Sequence, residues 1–284
     1  MTATLLDGKA LAAKVRAEVA EEVAELGDVG LATVLVGDDP ASDVYIRHKH
    51  GAASEVGIHS DDRRLPSDIS QDELLDVIGE LNAEDSIDGV LVQSPLPRHL
   101  DEAAAILAVD PAKDVDGFHP VNAGLLYLGR PGLVPATPLG IMRLLDEYRV
   151  PIAGRRAVVI GRSNIVGKPI AHLLLQANAT VTLCHSQTVD LPRWTTDAEI
   201  LVAAVGMPGV VSADMVEFGA TVIDVGITRT DAGLVGDVDP SVAEKAEFMT
   251  PVPGGVGPMT IAMLLSNTVK AARARRQLLA NRSD

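Results

Sequence analysis

Residues 156–169 read Arg-Ala-Val-Val-Ile-Gly-Arg-Ser-Asn-Ile-Val-Gly-Lys-Pro, and this stretch decides how the second half of the chain folds. Its apolar run, residues 157–160, is typical of a parallel strand that is covered on both faces. A loop bounded by Gly161 and Gly167 follows. Beyond the loop, apolar residues recur with the spacing of one helix face, namely Ile170, Leu173 and Leu174. The free N–H groups at the start of such a helix favour an anionic group such as a pyrophosphate. Because the loop lacks the third glycine of the dinucleotide fingerprint, an ordinary strand-to-helix turn stays open.

Strand and helix patterns alternate along the rest of the chain with short connections. This order predicts parallel sheets with helical crossovers, and therefore an α/β fold. The 284 residues are enough for about two domains. The predicted strands lie at residues 31–36, 89–93, 157–160, 180–184, 200–205 and 220–225. Helix-start signals stand at Ser70 and Thr137, and a long final helix is predicted from Pro258 to about Leu279, with an apolar face that allows packing on the first domain.

The charge balance and the cysteine count exclude several classes of function. With 24 basic and 39 acidic residues the net charge is −15, and such a surface repels phosphate backbones. We therefore expect no binding of nucleic acid or of anionic membranes. The single cysteine, Cys184, excludes an internal disulfide framework and a cysteine-rich metal site. No apolar run approaches the roughly 20 residues of a membrane span, so we expect a soluble cytoplasmic protein with no metal site.

Three polar residues in the first half of the chain are candidates for chemistry. Tyr45 and Lys49 are four residues apart in a predicted helix, so they share one face. A lysine acts as a proton donor or base where burial lowers its pKa, whereas at a surface it stays charged. Gln93 ends a predicted strand, at the sheet edge where ligands bind in parallel α/β folds. The residues alone leave open a solvated helix face for the pair and a turn-stabilising role for the glutamine.

Two further segments combine polar or rigid residues outside the predicted core. Residues 113–117 read Lys-Asp-Val-Asp-Gly, which is short and polar for a core element. Carboxylates there can bind a metal, cap a turn, or accept paired hydrogen bonds from an amino-pyrimidine edge. Residues 251–258 read Pro-Val-Pro-Gly-Gly-Val-Gly-Pro, which suits either close backbone contact with a flat ligand or a domain connector. The alternatives for both segments stay open at this point.

Together, five separated motifs resemble those of the bifunctional methylenetetrahydrofolate dehydrogenase/cyclohydrolase family, and the resemblance spans essentially the whole chain. The motifs are residues 45–49, 93–97, 113–120, 161–169 and 251–258. The resemblance implies an N-terminal folate-binding α/β domain and a Rossmann-type parallel-sheet NADP domain, with the active site in the cleft between them. It implies a folate domain at residues 1–136, completed by a C-terminal helix at 258–284, and an NADP domain at 137–257. It also implies a homodimer and a place in one-carbon metabolism and purine biosynthesis.

The implied activity has two steps in one pocket. The first is the NADP-dependent oxidation of 5,10-methylenetetrahydrofolate to 5,10-methenyltetrahydrofolate, and the second is hydrolysis to 10-formyltetrahydrofolate. Lys49 matches the family's essential lysine and would manage proton transfer, while Gln93 would hydrogen-bond its amine. Tyr45 would lie against the folate, and Asp116 would accept hydrogen bonds from the pterin edge. Gly254 and Gly255 would line the folate pocket through contacts of their backbone atoms.

The preference for NADP over NAD follows partly from the residues. An NAD-binding fold ends its second strand with an acidic residue about 20 positions after the glycine loop. Here residues 184–188 read Cys-His-Ser-Gln-Thr, so no carboxylate would repel a 2′-phosphate, although Asp190 lies nearby. The resemblance assigns dinucleotide binding to Gly161, Arg162, Ser163, Ser186 and Ile227.

Two other functions remain as alternatives. A shikimate-dehydrogenase-like oxidoreductase would use a lysine and an aspartate on a hydroxy acid, but the segments 93–97 and 251–258 argue against it. A non-catalytic folate or dinucleotide sensor would keep the pocket and lose turnover. The presence of Tyr45, Lys49, Gln93 and Asp116 argues against such a sensor.

Overall fold

The computed structural model describes residues 2–231 and 233–283, so Met1, Ala232 and Asp284 lie outside the described residues. The chain forms two compact units. The six-stranded unit comprises the chain up to Ala13 together with Thr137–Thr260. The three-stranded unit comprises Lys14–Ala136 together with the chain from Ile261 onward.

Strands and helices alternate along the chain, which confirms the predicted α/β class. The strands are β1 (Thr4–Leu5), β2 (Gly30–Val36), β3 (His59–Leu65), β4 (Gly89–Val92), β5 (Arg156–Ile160), β6 (Thr180–Cys184), β7 (Ile200–Ala203), β8 (Thr221–Asp224), β9 (Thr228–Thr230), β10 (Gly233–Val235) and β11 (Phe248–Met249). The helices are α1 (Gly8–Leu26), α2 (Pro40–Glu55), α3 (Gln71–Ala83), α4 (Glu102–Ala108), α5 (Pro120–Tyr127), α6 (Ala136–Glu147), α7 (Gly167–Gln176), α8 (Pro192–Thr195) and α9 (Val256–Ser283).

The larger sheet has the strand order β1-β11-β8-β7-β5-β6, and its neighbouring strands are parallel. The apolar run at residues 157–160 is buried in β5, which pairs with β6 on one side and β7 on the other. Because the chain moves from β5 to β6 and then returns to the opposite side of β5, the strand order reverses at this point. Ligands of open α/β sheets bind beyond the carboxyl ends of the strands at such a reversal.

The smaller sheet has the order β3-β2-β4 and is also parallel. Its central strand β2 is buried along its whole length, which explains its continuous apolar sequence. Ala32, Val34 and Val36 pack in one core with α3, whose start has the predicted capping box at Ser70.

The final helix α9 extends beyond the predicted span at both ends. From Ile261 onward it belongs to the three-stranded unit, where Asn267 Nδ2 donates to the carbonyl oxygens of Val115 and Val134, both at 2.8 Å. Arg275 in the same helix forms an ion pair of 2.7 Å with Asp88. These contacts explain how a helix that follows the second domain in sequence completes the first.

Two details differ from the sequence expectations. The residues up to Ala13 lie with the six-stranded unit rather than with residues 14–136, because Thr4 of β1 pairs with Phe248 of β11. Thr137 is not an N-cap but lies within α6, with its Oγ1 atom 2.9 Å from Oγ1 of Thr260. Among the described residues, no helix combines the length and the apolar character that crossing a membrane requires.

Candidate active site

Helix α2 places Tyr45 and Lys49 side by side in the three-stranded unit. The Nζ atom of Lys49 lies 4.6 Å from the centroid of the Tyr45 ring, as their spacing of four residues predicts. Lys49 is only 5% exposed. The solvated helix face that the sequence left open is therefore not what this pair forms.

Gln93 stands directly after β4 and joins the pair. Its backbone N–H donates to the carbonyl of Val34 at 2.9 Å, which fixes the start of the loop. Its side-chain Oε1 accepts a hydrogen bond from Lys49 Nζ at 3.1 Å, and its Nε2 donates to the carbonyl of Ser94 at 2.6 Å. Because the amide is held at both ends, its oxygen is oriented toward the lysine amine.

Burial changes the acid–base properties of this cluster. Desolvation lowers the pKa of Lys49, and the nearby Asp116 carboxylate only partly opposes that effect. Desolvation also raises the pKa of Asp116 to about 6, against the attraction of the Lys49 ammonium. The pKa of Tyr45 rises to about 12 through burial, so its phenol stays protonated at neutral pH. An amine and a carboxyl that both titrate closer to neutrality are suited to proton transfer.

The segment 113–117 has a polar sequence, but most of its side chains are buried. Lys113 is 2% exposed, and its Nζ donates to two backbone carbonyl oxygens at 3.0 and 2.7 Å. Asp114 is also buried and accepts hydrogen bonds from two backbone N–H groups and from Asn122 Nδ2. Asp116 is half-buried and accepts no hydrogen bond from the described residues. Of the two carboxylates, Asp116 is therefore the one whose oxygens are open to a ligand.

The six-stranded unit carries a separate cavity of about 360 Å³ at the carboxyl ends of β5, β6 and β7. Four predicted cofactor residues line it, namely Gly161, Arg162, Ser163 and Ser186. Gly161 has φ +120°, and a Cβ atom there would lie 2.2 Å from the carbonyl oxygen of Ala204. The Ser163 hydroxyl accepts hydrogen bonds from the N–H groups of Val166 and Gly167, both at 3.2 Å. Those two donors at the helix start, predicted to be free, are thus occupied by the loop itself.

The remaining predicted residues of this unit lie elsewhere. Ile227 is 53% exposed and does not line the 360 Å³ cavity. The carbonyl oxygen of Gly254 accepts the N–H of Lys9 at 3.0 Å, and Gly255 packs closely on Gly8. These two glycines therefore lie against the first turn of α1.

Two buried carboxylates near the 360 Å³ cavity were missed by the sequence reasoning. Asp224 and Asp237 are 2% and 0% exposed. The Asp237 carboxylate accepts hydrogen bonds from three consecutive backbone N–H groups, those of residues 205–207. The sequence does offer a signal for each residue. Asp224 ends an apolar strand, and Asp237 directly follows a glycine. Among the described residues, no group of three or more His, Cys, Asp or Glu side chains is arranged to hold a metal ion.

Comparison with known proteins finds similarity over both units. The family model for the tetrahydrofolate dehydrogenase/cyclohydrolase catalytic domain matches residues 6–116, and the model for the NAD(P)-binding domain of the same family matches residues 135–276. The bifunctional protein FolD of Desulfovibrio desulfuricans is 56% identical over 281 residues, which cover 95% of this chain and 99% of that protein.

Two solved structures are similar in fold and in sequence. The bifunctional FolD methylenetetrahydrofolate dehydrogenase/cyclohydrolase of Campylobacter jejuni is 49% identical with a TM-score of 0.94, and the match covers 96% of this chain and 99% of that one. The N5,N10-methylenetetrahydrofolate dehydrogenase-cyclohydrolase of Trypanosoma brucei, solved with NADP cofactor and inhibitor, is 39% identical with a TM-score of 0.92. That match covers 97% of this chain and 99% of the other.

Proposed function

This chain belongs to the tetrahydrofolate dehydrogenase/cyclohydrolase family, and we propose that it is a bifunctional one-carbon enzyme. It oxidises 5,10-methylenetetrahydrofolate with NADP and hydrolyses 5,10-methenyltetrahydrofolate to 10-formyltetrahydrofolate. The observation that carries the proposal is the buried Lys49 amine, held 3.1 Å from Gln93 Oε1. Similarity to bifunctional relatives over 95% of the chain favours this function over a shikimate-type oxidoreductase or a sensor.

Lys49 is the proposed acid–base group of the hydrolysis. Because desolvation lowers the pKa of its amine, a larger fraction of the neutral form is present at neutral pH than for an exposed lysine. Gln93 offers a neutral acceptor, so it orients the amine without stabilising the ammonium as a carboxylate would. Both features favour an amine that alternately accepts and donates a proton.

The hydrolysis adds one water molecule to the methenyl carbon of the cationic substrate. As the new C–O bond forms, the neutral Lys49 amine accepts a proton from the attacking water. The resulting ammonium returns a proton to N5 of the folate as the bond between the carbon and N5 breaks. The remaining hydroxyl proton leaves to solvent as the formyl C=O forms, so the reaction releases one proton overall.

The folate is recognised in this proposal by Asp116 and Tyr45. The Asp116 carboxylate, with no hydrogen bond from the described residues, accepts donors from the amino-pyrimidine edge of the pterin. The Tyr45 ring packs against the ligand, and its protonated hydroxyl donates or accepts one further hydrogen bond. We assign Gly254 and Gly255 to backbone contact with the folate on the basis of the family resemblance.

The residues of the 360 Å³ cavity fit a dinucleotide. A Cβ atom at Gly161 would collide with the carbonyl oxygen of Ala204, so glycine allows the loop that carries Arg162 to pack against the end of β7. The exposed Arg162 supplies positive charge, and Ser163 and Ser186 supply hydroxyl groups. Arg162 and Ser186 are the proposed contacts of the 2′-phosphate, and Ile227 provides an apolar contact. When bound, NADP supplies the hydride acceptor for the one-carbon bridge.

We further propose a cytoplasmic homodimer in which the three-stranded unit is the folate domain and the six-stranded unit is the NADP domain. Among the described residues, β6 pairs on one side only, with β5, so its other edge is open. Leu183 in β6 is 37% exposed, and the following segment exposes Val189 and Trp194. An open, partly apolar strand edge is suited to pairing with the same edge of a second copy. Light scattering of the purified protein tests the dimer, and Leu183→Lys is expected to weaken it.

The activity is tested by supplying the purified protein with methylenetetrahydrofolate and NADP and following methenyl formation by absorbance. Hydrolysis is measured separately on the methenyl compound without cofactor. We expect both reactions, with NADP preferred over NAD in parallel titrations. Absence of both reactions would overturn the proposed function, and equal use of NAD would overturn the assignment of Arg162 and Ser186.

A further inference from the structure

Asp237 is a fully buried carboxylate whose hydrogen bonds converge on one loop. Its Oδ2 atom accepts the N–H groups of Val205 and Gly206 at 2.7 and 3.1 Å, and its Oδ1 atom accepts the N–H of Met207 at 2.8 Å. Residues 205–207 form a loop that begins two positions after the last residue of β7, Ala203. Three consecutive amides therefore point at one side chain, and this convergence fixes the backbone shape of the loop.

This loop forms one wall of the 360 Å³ cavity. Val205 and Met207 line the cavity together with the glycine loop that carries Arg162, whereas Asp237 does not line it. The carboxylate therefore does not face the proposed dinucleotide site. It holds the loop whose side chains form one wall of that site. Asp237 takes no part in the proposed hydrolysis, and it makes none of the proposed direct contacts with folate or NADP.

Asp224 anchors the arrangement from the end of β8. Its Oδ1 accepts the N–H of Asp237 at 2.8 Å and its Oδ2 accepts the N–H of Val238 at 3.0 Å. Its Oδ1 also accepts the N–H of Gly226, at 3.2 Å, one residue before Ile227. A Cβ atom at Gly226 would lie 2.0 Å from Oδ1 of Asp237, so glycine is needed for this close approach. The two carboxylates thus tie together the loops that follow β7 and β8.

We infer that Asp237 is a positioning residue for the dinucleotide: its carboxylate holds residues 205–207 in the shape that NADP binding requires. An asparagine cannot replace it, because its amide has one acceptor atom and one donor group. In either orientation the NH₂ group meets at least one backbone N–H, and that donor loses its acceptor on Asp237. The inference rests on the proposed function, since it concerns the cofactor of that activity.

The test compares Asp237→Asn with the wild type in two measurements on the same protein. The Kd for NADPH, from a fluorescence titration without folate, is expected to rise about tenfold in the variant, which corresponds to about 1.4 kcal/mol. Hydrolysis of methenyltetrahydrofolate without NADP is expected to stay within about twofold of wild type, because Lys49 lies in the three-stranded unit. Asp239→Asn is the matched control, since that carboxylate accepts bonds from Ser241 alone at the protein surface, and its Kd should not change.

Gly226→Ala provides a second, independent variant that keeps the Asp237 charge and displaces its carboxylate by contact. It is expected to weaken NADPH binding in the same way. Unchanged NADPH affinity in either folded variant would overturn the inference. Loss of hydrolysis in both variants would also overturn it, because the carboxylate would then support the whole fold rather than the cofactor loop. A wild-type protein that binds no NADPH would instead contradict the proposed function.

Discussion

The amine of Lys49 donates a hydrogen bond of 3.1 Å to Oε1 of Gln93, and the NH₂ group of the same glutamine donates to the carbonyl of Ser94 at 2.6 Å. The lysine is thus held by a neutral acceptor that is itself held by backbone. Desolvation lowers the pKa of the amine, and Gln93 adds no charge that would reverse this effect. The pair thus orients the lysine amine while its burial favours the neutral form, as the proposed proton transfer requires.

Replacing Lys49 with methionine is expected to reduce methenyltetrahydrofolate hydrolysis by at least about 100-fold, because the proton-transfer group is lost while the side-chain volume is kept. The loss of methenyl absorbance over time measures the rate. His48→Ala is the control, since His48 is an exposed neighbour on the same helix. Wild-type hydrolysis in Lys49→Met would contradict the assigned role.

Replacing Gln93 with glutamate places a carboxylate beside the amine and stabilises its charged form. The pKa of Lys49 is then expected to rise, so the limb of the pH–rate profile on which hydrolysis increases with pH moves to higher pH. At neutral pH kcat should fall more than KM changes, because substrate contacts are retained. The profile of kcat against pH, recorded for both proteins, decides the matter: superimposable profiles would show that Gln93 does not control the amine.

Folate affinity is expected to depend on the ionisation of Asp116, whose pKa is raised to about 6 by burial. As the pH falls through about 6, the carboxyl gains a proton and loses acceptor capacity, so KM for the folate substrate should rise several-fold. In Asp116→Asn the KM should be high and should lack this step. Asp110→Asn, at an exposed position of the preceding turn, should keep the wild-type pH dependence. A step that persists in Asp116→Asn would assign the titration to another group.

Gly161→Ala is expected to abolish most NADP binding while hydrolysis is retained. The new Cβ would lie 2.2 Å from the Ala204 carbonyl oxygen and would also meet a φ of +120°. Gly233→Ala is a matched control, because Gly233 has φ +118° but open space around the added atom. Titration with NADPH and the cofactor-free hydrolysis assay measure the two activities. Equal weakening of NADPH binding in both variants would show that backbone strain, rather than the collision at the cavity, is the cause.

Lys49→Met is also expected to stabilise the fold at neutral pH, by about 1 kcal/mol. The folded protein binds the Lys49 proton less tightly than the unfolded chain, whose lysine has the usual pKa of 10.5. Between the lowered pKa and 10.5 the unfolded state holds more protons, so the contribution of Lys49 to the free energy of unfolding rises with pH in that window. Urea titrations of wild type and variant at neutral and alkaline pH measure the difference. The difference in the free energy of unfolding between the two proteins should shrink as the pH rises. A difference that stays constant with pH would show that the lowered pKa of Lys49 is not its cause.

Several elements were predictable because their signals are local. The apolar run in β5, the glycine that ends it and the capping box at Ser70 depend on residues within a few positions of one another. The alternation of such elements is enough to predict a parallel α/β fold. The shared face of Tyr45 and Lys49 is likewise a consequence of helix geometry.

Other features were decided by residues far apart in sequence. The first strand lies with the six-stranded unit because Thr4 pairs with Phe248, a contact that no local pattern near Thr4 indicates. The sequence likewise did not distinguish Asp114 from Asp116, since the difference lies in which of them the surrounding N–H groups reach. The role of Asp237 was invisible for the same reason, because its three partners stand about thirty positions earlier.

By itself, then, the sequence determined the class of fold, the position of the glycine loop and the helix that carries Lys49. Only the tertiary structure decided that this lysine is buried, that Gln93 holds it, and that Asp116 accepts no hydrogen bond from the described residues. The physical reason is that strand and helix formation depend on short-range backbone geometry. Desolvation and the pairing of buried polar groups depend instead on which distant segments exclude water from the same place.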